Sequence, residues 1–303
     1  MRASRERCHI KITNKYNLPE EVVAALSSNT YVKGDGDYSA TTLLKPPRIV
    51  MLEQRHWEET EQDVIDRTWS LLGQAAHWVL EQHGSDESIT EKRMYMEVNG
   101  KKIGGQVDLY RDGIITDYKI TSCWGIIHDT KNEEWERQLN IYARLFRANG
   151  YDVRGVRIVC ILRDWDKNRA LRESDYPKTP ILVIPLNVWT VQEQDKFLYD
   201  KVADLIECES LEDDALPICS ERDRWCRAAS YAVIKVGAKR ATKVHCSLQD
   251  AEDDAKERGA KDSKGGQYDV IERPGVSVRC EAYCSVAPFC SFYKELHKDG
   301  LDG

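Results

Sequence analysis

An α/β fold is predicted, with a central mixed sheet flanked by helices and a small cysteine-ligated module toward the C-terminal end. Three observations predict it. Short β-prone runs follow one another between residues 93 and 121, separated by Asn99-Gly100 and Asp112-Gly113, dipeptides that favour two-residue hairpin turns. Helical apolar periodicity brackets those runs, at 57–83, 133–149 and 188–207. After Glu209 the chain becomes acidic and poor in apolar residues, and it ends in a cysteine-rich stretch.

Taken in order, residues 1–50 read as an arm or lid that precedes the core. They hold one helical pattern, LPEEVVAALSS, then the Gly-rich YVKGDGDYSATT and Pro46-Pro47. The core is expected over 51–209. It opens with a helix from Trp57 to His83, with Thr60 as N-cap, Asp63 three residues on and Gly84 as terminator. RMYMEV and KKIGGQVDLY form a first hairpin about Asn99-Gly100, and DGIITDYKIT adds a third strand. EEWERQLNIYARLFRAN is an amphipathic helix closed by Gly150. Strands follow in VRGVRIVCILRDW and ILVIPL, then a long helix in VWTVQEQDKFLYDKVADLIE. The module at 210–303 begins with an acidic linker, ECESLEDDALP. YAVIKVG, KRATKVHCS, a charged helix near 248–258 and YDVIERPGVSVRC come after it.

Composition narrows the class. The 303 residues are 41% hydrophobic and 31% charged, as in a soluble globular protein. No run of eighteen apolar residues occurs, and MRASRERCHIKITNKYN lacks the apolar core of a signal peptide, so a cytoplasmic protein is expected. In that compartment thiols stay reduced, and ten cysteines suggest metal or cluster ligands rather than disulfides. The net charge of −7 excludes nucleic-acid binding by bulk charge and leaves room for a localised basic track. Candidates are Lys235, Lys239, Arg240 and Lys243, and the arginines 144, 147, 154 and 157; an ordinary solvated face explains either set equally well.

Charged residues interrupt the apolar runs of GGQVDLYRDGIITDYKITS. Counting outward from a turn at Asp112-Gly113 sets Asp108 opposite Asp117, with Lys119 on the same face as Asp117. Like charges opposed across a ladder destabilise it, whereas a divalent cation would turn the conflict into a site, since Mg²⁺ takes carboxylates together with phosphate oxygens. The lysine would then stabilise developing negative charge or orient a water. The plainer reading is a solvated strand face carrying an Asp–Lys ion pair. Gly73 and His77 share a helix face, as do Gln138 and Tyr142, and Glu97 precedes the first hairpin turn. Each of these alone reads as core, interface or solvated surface.

In order, GxxxH on a helix, GxxD on a strand, DxK on its hairpin partner and QxxxY on the next helix resemble the RecB- and AddB-like branch of the PD-(D/E)XK nucleases, over about residues 57–150. RIVMLEQRHWEE and ERPGVSVRCEAYC look like bacteriophage or prophage exonucleases of that superfamily. The resemblance implies Mg²⁺- or Mn²⁺-dependent cleavage of DNA in recombination, repair or phage DNA processing, with a recombination or single-strand-binding protein as partner. By motif match, Asp108 and Asp117 are metal ligands, His77 is a further ligand, Lys119 is the catalytic lysine, and Gln138 and Tyr142 line the site and contact DNA. Aspartate in DxK, where the superfamily often has glutamate, has the shorter reach. A non-catalytic nucleic-acid-binding scaffold and an iron–sulfur sensor on the same fold are the rivals.

Cys280, Cys284 and Cys290 lie within eleven residues, and a four-ligand centre needs one more. Cys219 is the choice, with Cys226 and Cys246 as rivals. Four thiolates suit a [4Fe–4S] cluster or Zn²⁺. Several RecB-type nucleases carry such a cluster on three C-terminal cysteines. Here the first gap of that trio is one residue longer, and on the side where the family keeps its remaining cysteine this sequence has Cys8. Cys123, Cys160 and Cys208 read as buried core thiols.

Overall fold

The computed structural model describes residues 11–28, 34–83, 87–263 and 265–298. They form two compact units, divided between Glu212 and Asp213. No helix among them is long and apolar enough to cross a membrane.

The first unit contains β1 (Lys11–Thr13), α1 (Glu20–Ser27), β2 (Tyr38–Ser39), α2 (Pro47–Arg55), β3 (Glu61–Asp63), α3 (Thr68–Glu81), β4 (Ile89–Val98), β5 (Lys101–Arg111) and β6 (Ile114–Thr121). It continues through α4 (Cys123–Ile127), α5 (Asn132–Ala148), β7 (Gly155–Leu162), α6 (Lys167–Arg172), β8 (Ile181–Leu186) and α7 (Val191–Glu209). Six strands make a mixed sheet in the order β2-β5-β6-β7-β8, with β4 on the other edge of β5. The β4–β5, β5–β6 and β7–β8 pairings are antiparallel, and β2–β5 and β6–β7 are parallel. The predicted α/β class with a mixed sheet and flanking helices is what the chain adopts.

Both hairpin turns fall where the dipeptides place them. Asn99 and Gly100 have φ of 48° and 73°, and Asp112 and Gly113 have 51° and 75°, the left-handed pair that a two-residue type I′ turn requires. Helix α5 is the central buried helix, with Leu139, Ile141, Leu145 and Phe146 nearly inaccessible against Ile103, Val107, Ile115 and Ile158 of the sheet. It can lie this close because β5 offers glycine. A Cβ on Gly105 would come within 2.6 Å of Leu145 Cδ1 and 2.8 Å of Tyr142 Cδ1. Helix α7 is started by a capping box, with Thr190 and Glu193 satisfying each other's backbone N–H groups.

The single helix expected from Trp57 to His83 is not formed. Residues 57–59 and 64–67 are 3₁₀ turns, 61–63 are strand β3, and α3 begins only at Thr68. Thr60 is no N-cap; it closes the 57–59 turn, and its hydroxyl donates to the His56 carbonyl. The cause is a parallel pairing of β3 with β1, fixed by Asp63, whose Oδ2 accepts from Thr13 Oγ1 and Lys15 N–H at 2.8 Å each. Gly84 lies outside the described residues. Nor is the stretch ahead of residue 51 wholly an arm: β2 pairs with β5 through Tyr38↔Ile103, and α2 buries Ile49 to Leu52. The four arginines are engaged within the chain, three of them half-buried and Arg154 exposed. Arg144 pairs with Asp195 at 2.6 Å, Arg147 donates to Gln194 and to the Trp189 and Val153 carbonyls, Arg154 to the Asp112 carbonyl, and Arg157 to Thr116.

The second unit has β9 (Cys226–Arg227), β10 (Ser230–Lys235), β11 (Lys243–His245), α8 (Leu248–Lys261), β12 (Tyr268–Arg273), β13 (Val276–Ser277), α9 (Val278–Ala282) and α10 (Ser291–Leu296). Strands β11, β10 and β12 form one antiparallel sheet under α8, and within YDVIERPGVSVRC the chain turns helical at Val278. Asp254 on α8 accepts from Arg258 at 2.8 Å and from His245 at 3.1 Å, and these bonds, the arginine's first, hold its carboxyl at about 2. That lies below the ~3.9 of an unfolded aspartate, so the stabilisation is complete above about pH 4 and is lost as pH falls toward 2. Hydrogen exchange of the α8 amides in the full chain should accelerate over that window. In Asp254→Asn the acceleration should flatten; an unchanged pH profile in the variant would reject the assignment.

Candidate active site

Strand β5 sets the site. Its first edge pairs along its length with β4, whereas its second edge is shared, by β2 at Ile103 and Gly104 and by β6 at Leu109 to Arg111. The β5–β6 ladder ends at Leu109↔Thr116, one step short of the predicted Asp108–Asp117 opposition. There the Asp108 carboxylate replaces the ladder, with Oδ2 accepting the Tyr118 N–H at 2.7 Å.

His77 comes to this point from α3. Its Nε2 is 3.1 Å from the Tyr118 carbonyl, which can only accept, so Nε2 carries the proton. Its Nδ1 is 3.3 Å from Asp108 Oδ1. The Asp108 hydrogen bond raises His77 above the usual histidine value against the opposing effect of burial. The third member is Glu91, which sequence reasoning passed over in favour of Glu97. Glu97 is exposed and pairs across the ladder with Lys102, well away from Asp108. Glu91 has a φ of 49° and interrupts the β4–β5 register between Thr90↔Leu109 and Lys92↔Val107. Burial raises its carboxyl, and the Gln106 amide donates to it. One ligand atom each from His77, Glu91 and Asp108 lies within 4.8 Å of the other two. A cleft of about 100 Å³ opens over the three, with Tyr118 and Arg111 also in its wall.

Asp117 and Lys119 stand beside this trio. Asp117 is 3% exposed. Its Oδ2 is sealed from solvent and takes no hydrogen bond, although Lys119 Nζ lies 2.6 Å away, out of hydrogen-bonding alignment. Burial lifts the Asp117 carboxyl to about 6; Lys119 pulls it back and Asp108 adds to the rise. Burial lowers the Lys119 ammonium, but Asp117, then Asp108 and Glu134, outweigh it and hold the group above its ordinary value. Lys119 therefore remains a cation at neutral pH.

Gln138 and Tyr142 are 7% and 6% exposed, and the glutamine Nε2 donates to the tyrosine hydroxyl at 3.0 Å. Both side chains are buried, and Tyr142 packs against Gly105 of β5. A Cβ on Gly73 would meet nothing within 4 Å among the described residues, so no element approaches α3 closely there.

In the second unit Cys219, Cys280, Cys284 and Cys290 share one neighbourhood, although no three of their sulfurs come within 4.8 Å of one another. Burial raises Cys219 to about 12, with Asp223, Cys284 and Cys290 adding to it; Cys280 is raised by burial and then by the same two thiols. The rivals Cys226 and Cys246 are both exposed, and Cys226 Sγ lies 3.6 Å from Ser277 Oγ. Cys8 lies outside the described residues.

No protein-family model and no curated protein matches the sequence. Among solved structures, the chain is similar to SSO0001 at 22% identity and a TM-score of 0.40, over 61% of this chain and 84% of that one. It is similar to a putative exonuclease from Eubacterium rectale at 14% identity and a TM-score of 0.32, over 53% and 62% of the two chains. It is also similar to a phage related exonuclease from Haemophilus somnus 129PT, at 13% identity and a TM-score of 0.26, over 63% and 85%.

Proposed function

We propose that the first unit is the core of a metal-dependent deoxyribonuclease, an exonuclease that hydrolyses DNA phosphodiester bonds in recombination, repair or phage DNA processing. The convergence of His77, Glu91 and Asp108 beside a sealed, unsatisfied Asp117 oxygen and the Lys119 cation carries this reading. Carboxylates buried beside one another destabilise a fold unless a ligand uses them.

The donors fit Mg²⁺ or Mn²⁺. Asp108, Asp117 and Glu91 offer the hard oxygen ligands these ions take. His77 offers Nδ1, since its Nε2–H is held by the Tyr118 carbonyl in the way metal-ligating histidines are usually oriented. When bound, the cation supplies an acidified water and neutralises phosphate charge. The chain's own contribution is positional: Tyr118 N–H fixes the Asp108 carboxylate, and Lys119 holds positive charge where phosphate oxygens gain negative charge. In the second unit, Cys219, Cys280, Cys284 and Cys290 are proposed to hold a [4Fe–4S] cluster, with Zn²⁺ as the alternative.

End-labelled single- and double-stranded DNA incubated with Mg²⁺, Mn²⁺ or EDTA tests the proposal. Shortening of the label with either metal and none with EDTA is expected; intact DNA under every condition would overturn it.

Two ligand variants refine it. His77→Ala and Glu91→Gln should each weaken Mn²⁺ binding about tenfold or more, the least expected from losses next to a metal, with cleavage partly restored at high Mn²⁺. Metal and proton compete for His77 Nδ1, so wild-type Mn²⁺ affinity should climb as pH rises through the raised histidine value, and His77→Ala should flatten that climb. A His77→Ala protein with a lower melting temperature but unchanged activity per folded molecule would make His77 a core residue.

A further inference from the structure

Four aromatic and cationic side chains lie beyond the site, at the C-terminal end of β6. The Arg163 guanidinium sits 4.1 Å over the Trp69 ring, and Trp124 packs against His128 with ring centroids 4.7 Å apart and planes tilted by 46°. Both tryptophans present most of their faces to solvent, Trp69 at 55% and Trp124 at 60% exposure. Burial of apolar surface would favour the opposite, and neither ring is needed by the core.

Their placement is fixed by the strand that carries Asp117 and Lys119. The Arg163 N–H donates to the Thr121 carbonyl at 3.0 Å, and the Cys123 N–H donates to Asp164 Oδ1 at 2.7 Å, so both pairs are tied to the β6 terminus. From Lys119 to Thr121 is about 7 Å along a strand rising ~3.3 Å per residue. Helix α3 leads the same way. His77 touches the Tyr118 carbonyl, and Trp69 lies eight residues earlier, about 12 Å back along a helix rising 1.5 Å per residue. By these backbone lengths the two pairs lie roughly 7 to 12 Å from Lys119 and His77.

We propose that Trp69 with Arg163, and Trp124 with His128, form a stacking platform that holds an unpaired DNA strand as it leaves or enters the site. The proposal deepens the nuclease reading and rests on it. Base faces are available for stacking on indole only where they are not stacked in a duplex, and an arginine beside the indole adds attraction for base and phosphate. A platform of this kind selects single-stranded DNA, or a frayed end, over blunt duplex.

Fluorescence anisotropy of labelled oligothymidylate and of a blunt duplex of equal length, both in EDTA so that metal-dependent cleavage is silent, tests this with the full chain. Trp69→Ala and Trp124→Ala should each weaken oligothymidylate binding about tenfold, the loss that removal of one base–aromatic stack brings. Trp69→Phe and Trp124→Phe should retain most of it. Duplex should bind more weakly and respond little to any of the four. Trp78→Ala is the control, since Trp78 is 64% exposed but nine residues from Trp69, on the opposite side of α3. Wild-type affinity in both alanine variants, verified as folded by circular dichroism, would overturn the platform. So would an equal loss in Trp78→Ala, or an equal loss for duplex. A wild-type protein that shows the expected pattern but never cleaves DNA would refute the nuclease reading and keep the platform. One that cleaves, with both alanine variants binding normally, would do the reverse.

Discussion

Asp117→Asn and Lys119→Ala should each lower DNA cleavage at least ~10²-fold, the loss seen when a single preorganised group that meets transition-state charge is removed. Their effects on stability should differ. Asp117 is the more deeply buried partner, its side chain 4% exposed against 27% for Lys119. Its folded-state value, about 6, lies above the ~3.9 of an unfolded aspartate. The stabilisation tied to its proton is therefore present below about pH 4 and is lost as pH rises through 6; at pH 8 the fold carries a buried carboxylate at a cost. Asparagine keeps the shape without that charge, and the Lys119 stem can turn its ammonium toward water. Lys119→Ala, in contrast, leaves the carboxylate buried and unpaired, the costlier half of a broken ion pair. In metal-free protein the melting temperature of Lys119→Ala should fall below that of Asp117→Asn, by a margin that widens from pH 6 to pH 8. Wild-type cleavage by either folded variant would remove these residues from the site.

Much of this site could be read from local sequence, because two-residue turns fix register by arithmetic. Counting from Asp112-Gly113 brings Asp108 and Asp117 to one level of the sheet, and the observed Leu109↔Thr116 pair agrees with the count. What counting could not show is that the ladder stops there and that the Asp108 carboxylate takes over the next backbone N–H. The same arithmetic from Asn99-Gly100 sets Glu91 opposite Asp108, since Val98 pairs with Lys101 and each step outward keeps the sum. The signal for Glu91 was therefore present. The β-prone pattern itself begins only at Arg93, because Ile89 to Lys92 do not alternate cleanly around a residue with positive φ. The errors at 57–67 and 38–55 have another origin. Those segments are shaped by pairings with distant strands, Lys11–Thr13 and Ile103–Gly104, and a helical apolar period cannot report a partner fifty or more residues away.

The largest effect on stability should come from the cysteines of the second unit. The core packed under α8 is small, Val233, Ala251 and Ala255 with Tyr231, Tyr268 and Val270 against them, and two alanines bury little apolar surface. Cys219 and Cys290 are 71 residues apart, 290 less 219, so a centre that joins them closes most of the unit into one loop and restricts its unfolded chain. Burial and the neighbouring thiols raise Cys219 to about 12, which keeps that thiol protonated when no metal is present and makes metal uptake release protons as it adds folding free energy. Protein purified without oxygen should be brown, with absorbance near ~400 nm and about four irons per chain, the composition of a [4Fe–4S] centre. Cys219→Ser and Cys284→Ser should lose the metal and expose the amides of β10 and α8 to rapid hydrogen exchange, whereas Cys226→Ser and Cys246→Ser, at exposed positions, should change neither. A colourless protein with one zinc would keep the staple and reject the cluster. A protein with no bound metal and slow exchange in β10 would reject both.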